Sequence, residues 1–261
     1  MYVRVDVLKN FLDIINFTIN GDLCATKEKD DECITANVKN VPNNVNLHVK
    51  LRPSDSVVYE ENEIVDFLIS AGIFKDKYLK HFDGKGEVGI VTTDDVITIS
   101  DGKLMLNMMQ IQPVSAANGT PSKTVKELRK ILPKPTIRIE ISPADIIKMH
   151  KIAVALDITD ITFTINDDSV ELSVGNKASM KVDAEIEKAY DKEWKIDFRS
   201  DAILDAFRYA ASPVKIEFIT DVARNDDKRI ILYPAFISYT SGTNNEIEVE
   251  GCIVPNKIYV E

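Results

Sequence analysis

The stretch that decides the fold is residues 140–164, which read EISPADIIKMHKIAVALDITDITFT. The alternating run Thr136–Ile141 leads into it and predicts a β-strand. Ser142–Asp145 is typical of a helix start because it places a proline near the first turn, and the helix is expected over Ile146–Leu156. Two alternating runs then predict the strands of a hairpin. These strands are Asp160–Ile165 and Val170–Val174.

The same order of elements recurs three more times along the chain. Each repeat has a short strand, an amphipathic helix and then alternating strands separated by turn residues. The three further helices are predicted over Val7–Ile15, over Ile64 to about Ile73, and over about Asp201 to Ala210. Four strand-helix-strands units, with strands in the majority, indicate an α+β fold in which each helix covers one face of a sheet.

A proline-rich segment over residues 112–135 divides the repeats into two pairs. Its prolines limit regular structure and bracket a short basic patch with helical character, Thr124–Lys130. The sequence therefore predicts an N-terminal domain over 1–111, a linker over 112–135 and a C-terminal domain over 136–261.

The composition is that of a globular protein with a real core, with 44% hydrophobic and 28% charged residues in 261. No run approaches the ~20 apolar residues of a membrane helix, and the N-terminus lacks the layout of a secretory signal. We therefore expect an intracellular protein that keeps its three cysteines reduced. The net charge of −10 argues against binding nucleic acid over the whole surface, but it leaves room for a local basic face.

The sequence contains no recognisable catalytic constellation. His48, His81 and His150 have no neighbouring residues at metal-ligand spacing, and there is no glycine-rich phosphate loop. The paired aspartates fall where hairpin turns are expected, and aspartate is favoured there for backbone reasons. We therefore expect a protein that is not an enzyme and that holds no cofactor or metal.

Basic residues, by contrast, recur on the predicted helices. Lys148 and Lys151 lie three positions apart on the face opposite the apolar stripe of their helix. Each basic residue alone is consistent with a solvated helix face, but together they could hold phosphates without reading bases. Asp13 and Asp205 are expected to weaken this surface. The residues expected to face phosphates are Lys9, Lys75, Lys77, Lys80, Lys126, Lys148, Lys151 and Arg208, and the linker adds Lys123, Arg129 and Lys130.

The pattern of two halves, each made of two strand-helix-strands units, resembles the trimeric DNA polymerase sliding clamps. The similarity is greatest to the clamps of tailed phages, and the proliferating cell nuclear antigens are more distant. It is carried by residues 140–164, by the helix and strand over Asp201–Phe218, and by the tail Glu248–Pro255. Lys151 falls where that family places a DNA-facing basic residue, whereas the next such position is Val154 here.

The resemblance implies a ring of three copies that encloses double-stranded DNA without sequence specificity. It also implies that DNA polymerase and a clamp loader bind through short peptides in an apolar pocket beneath the linker. Its residues would be Val45, Ile253, Val254 and Pro255. Subunits would join by pairing Leu104–Met109 with Ala178–Asp183 of a neighbour. The interface residues would be Leu104, Leu106, Met108, Met180 and Val182.

Two other interpretations stay open at this point. One is a viral structural or assembly protein built of tandem α+β modules that does not enclose DNA. The other is an enzyme of unrecognised type. As a clamp, the protein would work in the cytoplasm of the host cell, or in the nucleus of a eukaryotic host, and the phage-like stretches favour a viral source.

Overall fold

The structure is a computed structural model that describes residues 1–16, 22–27, 33–40, 44–59, 67–93, 95–110, 125–166, 169–186, 193–220, 223–224 and 230–260. The α-helices within these ranges are α1 (Val5–Ile15), α2 (Ala71–Ile73), α3 (Val125–Ile131), α4 (Pro143–Ala155) and α5 (Ser200–Phe207). A π-helical turn, Phe74–Tyr78, and a 3-10 turn, Leu79–His81, extend α2. None of these helices has the length and apolar character needed to span a bilayer.

Strands make up most of the regular structure of the described ranges. Those of the first half are β1 (Tyr2–Arg4), β2 (Asp22–Lys27), β3 (Ile34–Asn40), β4 (Val45–Leu51), β5 (Val57–Val58), β6 (Phe67–Ser70), β7 (Glu87–Thr92), β8 (Val96–Ser100) and β9 (Met105–Met109). Those of the second half are β10 (Ile137–Ile141), β11 (Asp160–Ile165), β12 (Val170–Val174), β13 (Ala178–Val182), β14 (Ala184–Ile186), β15 (Trp194–Arg199), β16 (Val214–Phe218), β17 (Ala223–Arg224), β18 (Ile230–Ile231), β19 (Ala235–Ser241), β20 (Ile247–Ile253) and β21 (Lys257–Val260).

The strands form three large sheets and one small pair, and every register given by the structure is antiparallel. Two sheets have five strands, in the orders β5-β1-β7-β8-β9 and β13-β12-β11-β15-β21. The largest has nine, in the order β14-β10-β16-β19-β20-β4-β3-β2-β6, and β17 pairs with β18. Few helices on several antiparallel sheets are the α+β fold that the sequence predicts, and this prediction is confirmed.

The chain divides into two compact units. Unit 1 comprises Met1–Asn40, Leu47–Thr124 and Thr240–Val249, and unit 2 comprises Val41–Asn46, Val125–Tyr239 and Glu250–Glu261. Each unit thus takes its main part from one half of the chain and a short piece from elsewhere.

The deciding stretch folds as its pattern predicts. Strand β10 leads into α4, whose Ser142 Oγ accepts a hydrogen bond of 3.3 Å from the backbone N–H of Ala144, and Pro143 takes the first helical position. The hairpin strands β11 and β12 pair with Phe163 opposite Leu172. Local sequence signals are sufficient to predict this stretch, because the capping serine, the proline and the helical spacing of the apolar residues all indicate the same helix.

One predicted helix is wrong in part. The helix expected over Ile64–Ile73 begins only at Ala71, because Phe67–Ser70 forms β6 and pairs with β2. A short apolar run is compatible with a buried strand as well as with a helix. Here it forms a strand because it pairs with the edge of β2. Residues 64–66 lie outside the described ranges.

Two helices of the chain begin with the same motif. Arg4 donates from Nε to Asp6 Oδ1 at 3.0 Å, and the pair is closed by a second contact of 2.5 Å to Oδ2. Arg199 and Asp201 repeat this at 3.1 and 2.5 Å. In both cases the arginine is the N-cap in extended conformation and the aspartate accepts from the next backbone N–H. The Arg4 guanidinium lowers the pKa of Asp6. The same local contact thus recurs at the start of one helix in each half of the chain.

The core of unit 2 is organised around three phenylalanines. Phe163 of β11 and Phe198 of β15 meet edge to face with centroids 5.6 Å apart, and Phe218 of β16 lies 6.2 Å from each. All three side chains are buried. This cluster joins the five-stranded sheet to β16, and α4 and α5 pack against strands of the same five-stranded sheet.

Candidate functional site

Helix α4 presents two lysines to solvent. Its buried face consists of Ile146, Met149 and Ala153. Lys148 and Lys151 are exposed on other sides of the helix, and within the described residues neither forms an ion pair. Val154, next to them, is also exposed. The helix therefore offers two available positive charges beside an apolar side chain.

Helix α5 lies beside α4 but adds less charge. The ring Nδ1 of His150 lies 3.1 Å from the carbonyl oxygen of Ser200, which connects the two helices. Arg208, at the end of α5, pairs with Asp205. The carboxylate therefore offsets much of the arginine charge.

The predicted basic residues of unit 1 also differ in whether an acidic residue of the chain pairs with them. Lys75 pairs with Asp13. Lys77 and Lys80 are exposed on the helical turns that follow α2, while Lys9 is half-buried on α1. These three lysines form no ion pair with any described residue.

Helix α3 carries the remaining basic residues, and it lies on another face of unit 2. Glu217 and Phe236 are direct partners across β16 and β19, so both project from the face opposite Phe218. Arg129 Nη1 of α3 lies 2.5 Å from Glu217 Oε2, and its guanidinium lies 4.3 Å from the centre of the Phe236 ring. Lys126 is exposed on the same helix. It is therefore separated from Lys148 and Lys151 by the nine-stranded sheet that contains β16 and β19. Lys123 lies outside the described residues.

The packing of α3 forms a second, apolar site. Val125 is fully buried against Ile219, Phe236 and Cys252, and three half-buried side chains extend this cluster. They are Leu128, Leu132 and Tyr233. Glu217 also forms an ion pair with Arg138, whose Nε lies 3.0 Å from Glu217 Oε1. We call the surface formed by Glu217, Ile219, Phe236 and Cys252 the α3 patch.

The four residues predicted to line a peptide pocket differ in accessibility. Val45, Ile253 and Pro255 are buried in the core, whereas Val254 is 36% exposed. The Val254 backbone N–H donates to the carbonyl of Asn44 at 3.3 Å, which fixes the tail beside β4. Of the four, only Val254 can contact a partner without rearrangement.

The predicted interface strands both lie at sheet edges. Strand β9 ends one five-stranded sheet and β13 ends the other, and both have five residues. Met108 and Val182 are each 8% exposed and face their own cores, Leu106 and Met180 are half-buried, and Leu104 precedes β9. The exposed side chains of β9 are instead Met105, Asn107 and Met109. Met105 and Met109, at 66% and 68% exposure, are thus the large apolar side chains available for contact at this edge.

Sequence reasoning missed the α3 patch. The signal was present in α3 itself, where Val125, Leu128 and Leu132 follow helical spacing with Arg129 beside them. The described residues include no group of three or more His, Cys, Asp or Glu side chains placed to hold a metal ion.

No protein-family model matches the chain, and no curated protein matches it by sequence. Solved structures do match over nearly its whole length. The chain aligns with A. fulgidus PCNA, whose structure is bound to the C-terminal region of FEN-1, with a TM-score of 0.72 and 18% identity over 98% of this chain and 97% of that one.

Two further solved structures show the same likeness. PCNA from Entamoeba histolytica gives a TM-score of 0.70 at 15% identity, covering 98% of both chains. A chain of the PCNA2–PCNA3 complex from Sulfolobus tokodaii gives 0.67 at 12% identity, covering 98% of this chain and 99% of that one. The chain therefore has the sliding-clamp fold, as the sequence resemblance indicates.

Proposed function

We propose that this chain, which has the fold of the PCNA clamps, is a DNA sliding clamp that encircles duplex DNA and tethers replication proteins to it. The observation that carries the proposal is the likeness to clamps along 98% of the chain, including both halves. The predicted domains over 1–111 and 136–261, joined by the linker over 112–135, would be the two halves of one subunit.

The mechanism we propose is topological. A closed ring stays on DNA because the duplex cannot leave sideways, so its contacts with phosphates can be weak and independent of sequence. Lys148 and Lys151 would supply the main contacts in unit 2, with Lys9, Lys77 and Lys80 in unit 1. Lys75 pairs with Asp13 and Arg208 pairs with Asp205. The remaining basic lining would therefore be sparse, and a sparse lining suits sliding better than tight binding.

The ring would consist of three copies joined edge to edge. Among the described strands, β9 and β13 each have one unpaired edge, and this supports the arrangement. Pairing the two edges would satisfy backbone N–H and C=O groups that could otherwise lead to aggregation. A head-to-tail contact of this kind closes into a ring when its rotation permits.

Binding to the ring would make the polymerase processive. A polymerase held on the ring by a short peptide stays at high effective concentration near the primer end, and the clamp loader would use the same surface. Val254 is the accessible residue of the predicted pocket. We further propose an intracellular site of action and, from the phage-like stretches, a viral source. The clamp itself would carry out no catalysis.

The test is primer extension on a long primed circle with the cognate polymerase and loader. We expect product length to increase when the protein is added, and the protein to stay on circular DNA but leave when the circle is cut. A particle mass of three times the 29.3 kDa chain, measured by light scattering, is expected. A stable monomer, or product lengths unchanged by the protein, would contradict the proposal.

A further inference from the structure

One face of the five-stranded sheet of unit 1 is exposed and apolar. Its strands, in the order β5-β1-β7-β8-β9, alternate between buried side chains and side chains that point to solvent. Among the solvent-facing side chains, the large apolar ones have exposures between 49% and 68%, and they are Tyr2, Val58, Val91, Met105 and Met109. We call these five residues the unit 1 sheet face.

The register of the strands makes this face continuous. Val58 lies opposite Tyr2, and Tyr2 lies opposite Gly89. A Cβ atom on Gly89 would lie 3.1 Å from Tyr2 Cε1, so the glycine leaves room for the aromatic ring to lie against the sheet. On the next two strands, Ser100 and Met105 continue the row. The Tyr2 ring is thus positioned on the surface, and tyrosine loses little conformational entropy when a partner covers it.

The corresponding sheet of unit 2 has a charged outer face. Its strands, in the order β13-β12-β11-β15-β21, also bury alternate side chains. On the opposite side each strand contributes a charged residue, and these include Lys181, Glu171, Asp160, Asp197 and Lys257. None of the large exposed apolar side chains of the described ranges belongs to this face. An ordinary solvated face therefore looks different from the unit 1 sheet face, whose contiguous apolar side chains indicate a binding surface.

The charges around the unit 1 sheet face indicate the chemistry of its partner. The charged residues described on this side of the sheet are Arg4 and Glu87, which lie opposite each other at one corner. Arg4 is already paired with Asp6. Around the strand ends, the described residues include four carboxylates and two lysines, namely Asp55, Glu87, Asp95 and Asp101, and Lys85 and Lys103.

This acidic rim around an uncharged centre selects among possible partners. It would repel DNA phosphates, anionic lipids and a second copy of this chain, whose net charge is −10. The centres of protein–protein interfaces are depleted of charge, as this face is. The complementary partner is therefore a protein segment that is apolar in the middle and basic at its ends.

We propose that the unit 1 sheet face binds a protein segment with an uncharged apolar centre flanked by lysine or arginine residues. The apolar centre would cover Tyr2, Val58 and Val91, and the flanking cations would lie against the acidic rim. Tyr2 and Val58 lie on the two strands farthest from the edge strand β9. The proposal therefore does not depend on ring closure, on DNA or on the predicted peptide pocket.

The test uses a synthetic peptide of sequence KKVWVFVKK with both ends blocked. Binding is followed by NMR of protein labelled with ¹³C at the methionine methyl groups. We expect the signals of Met105 and Met109 to shift, and those of Met149 and Met180 in unit 2 to stay unchanged. The same peptide with glutamates in place of its lysines should bind about tenfold more weakly, because like charges then face each other at the rim.

A matched pair of variants locates the site. Val91→Lys places a cation in the centre of the face and should weaken binding of the lysine peptide about tenfold. Val154→Lys makes the same change at an exposed valine of α4 and should leave the affinity within twofold of wild type. Tyr2→Ser, which removes the ring without adding charge, should also weaken binding. Thermal unfolding checks that the variants are folded.

Several outcomes would overturn the proposal. Methionine signals that do not move, equal affinity for the two peptides, or unchanged binding by Val91→Lys would each do so. A particle mass that Val91→Lys reduces to half would assign the face to a second copy of the chain instead. Because these measurements use no DNA, failed primer extension would leave the proposal intact, and absence of peptide binding would leave the clamp function intact.

Discussion

Helices α3 and α4 have similar chemistry but lie in different surroundings within unit 2. Both are amphipathic, and both carry exposed lysines on the side away from their apolar residues. Helix α4 has its own cap and three buried residues, and its lysines remain unpaired among the described residues. Helix α3 has one buried residue, and its Arg129 is bound by a carboxylate of the sheet. The surface beneath a basic helix, more than its sequence, decides whether its charge is available.

The largest expected difference concerns stability. Met149→Ala removes a fully buried side chain beneath α4 and should lower the free energy of unfolding by about 2–5 kcal/mol. Leu128→Ala removes a half-buried side chain beneath α3 and should cost about 1 kcal/mol, because less apolar area is lost. Urea unfolding of both variants measures the contrast. Equal losses would show that α3 is as firmly held as α4.

The next difference concerns DNA. Lys148→Glu combined with Lys151→Glu should reduce retention on circular DNA about tenfold at moderate salt, because the two proposed phosphate contacts per subunit would become repulsive. Lys126→Glu, on α3 across the sheet, should stay within twofold of wild type. Retention is measured by gel filtration of the loaded circles.

Particle mass is the control for the DNA experiment, and it should be unchanged in all variants. If the double variant lost its oligomeric state, these lysines would belong to a subunit contact. An equal effect of Lys126→Glu would mean that α3 also faces the duplex.

The same contrast explains what sequence could predict. Helix α4 follows from local signals, since Ser142, Pro143 and the apolar stripe are all contiguous. The docking of α3 does not, because Glu217 and Phe236 are distant in sequence and become neighbours only through the register of β16 and β19. Predicting its acidic partner would require knowing that register in advance.

The candidate DNA surface shows the same limit. Helical spacing correctly indicated that Lys148 and Lys151 are exposed, and the structure pairs Asp13 with Lys75 and Asp205 with Arg208. The error over Phe67–Ser70 arose because its apolar run is compatible with both a helix and a strand. The strand forms because the run pairs with β2, a contact that local sequence does not reveal. Spacing also could not show which side of a sheet a helix such as α3 would cover.

The smallest expected effect tests whether α4 is independent of such distant partners. Ser142→Ala removes the hydrogen bond to the Ala144 N–H and should cost about 1 kcal/mol of unfolding free energy, whereas Ser142→Asp keeps an acceptor and should cost only a few tenths. Because α4 begins with its own cap and proline, neither change should alter retention on DNA or the rate at which a thiol reagent labels Cys252, which is buried beside α3. Thermal unfolding measures the loss of stability, and mass spectrometry of the labelled Cys252 is the control. Faster labelling in Ser142→Ala would mean that α3 and α4 are coupled through the sheet, and the two helices could no longer be treated as separate sites.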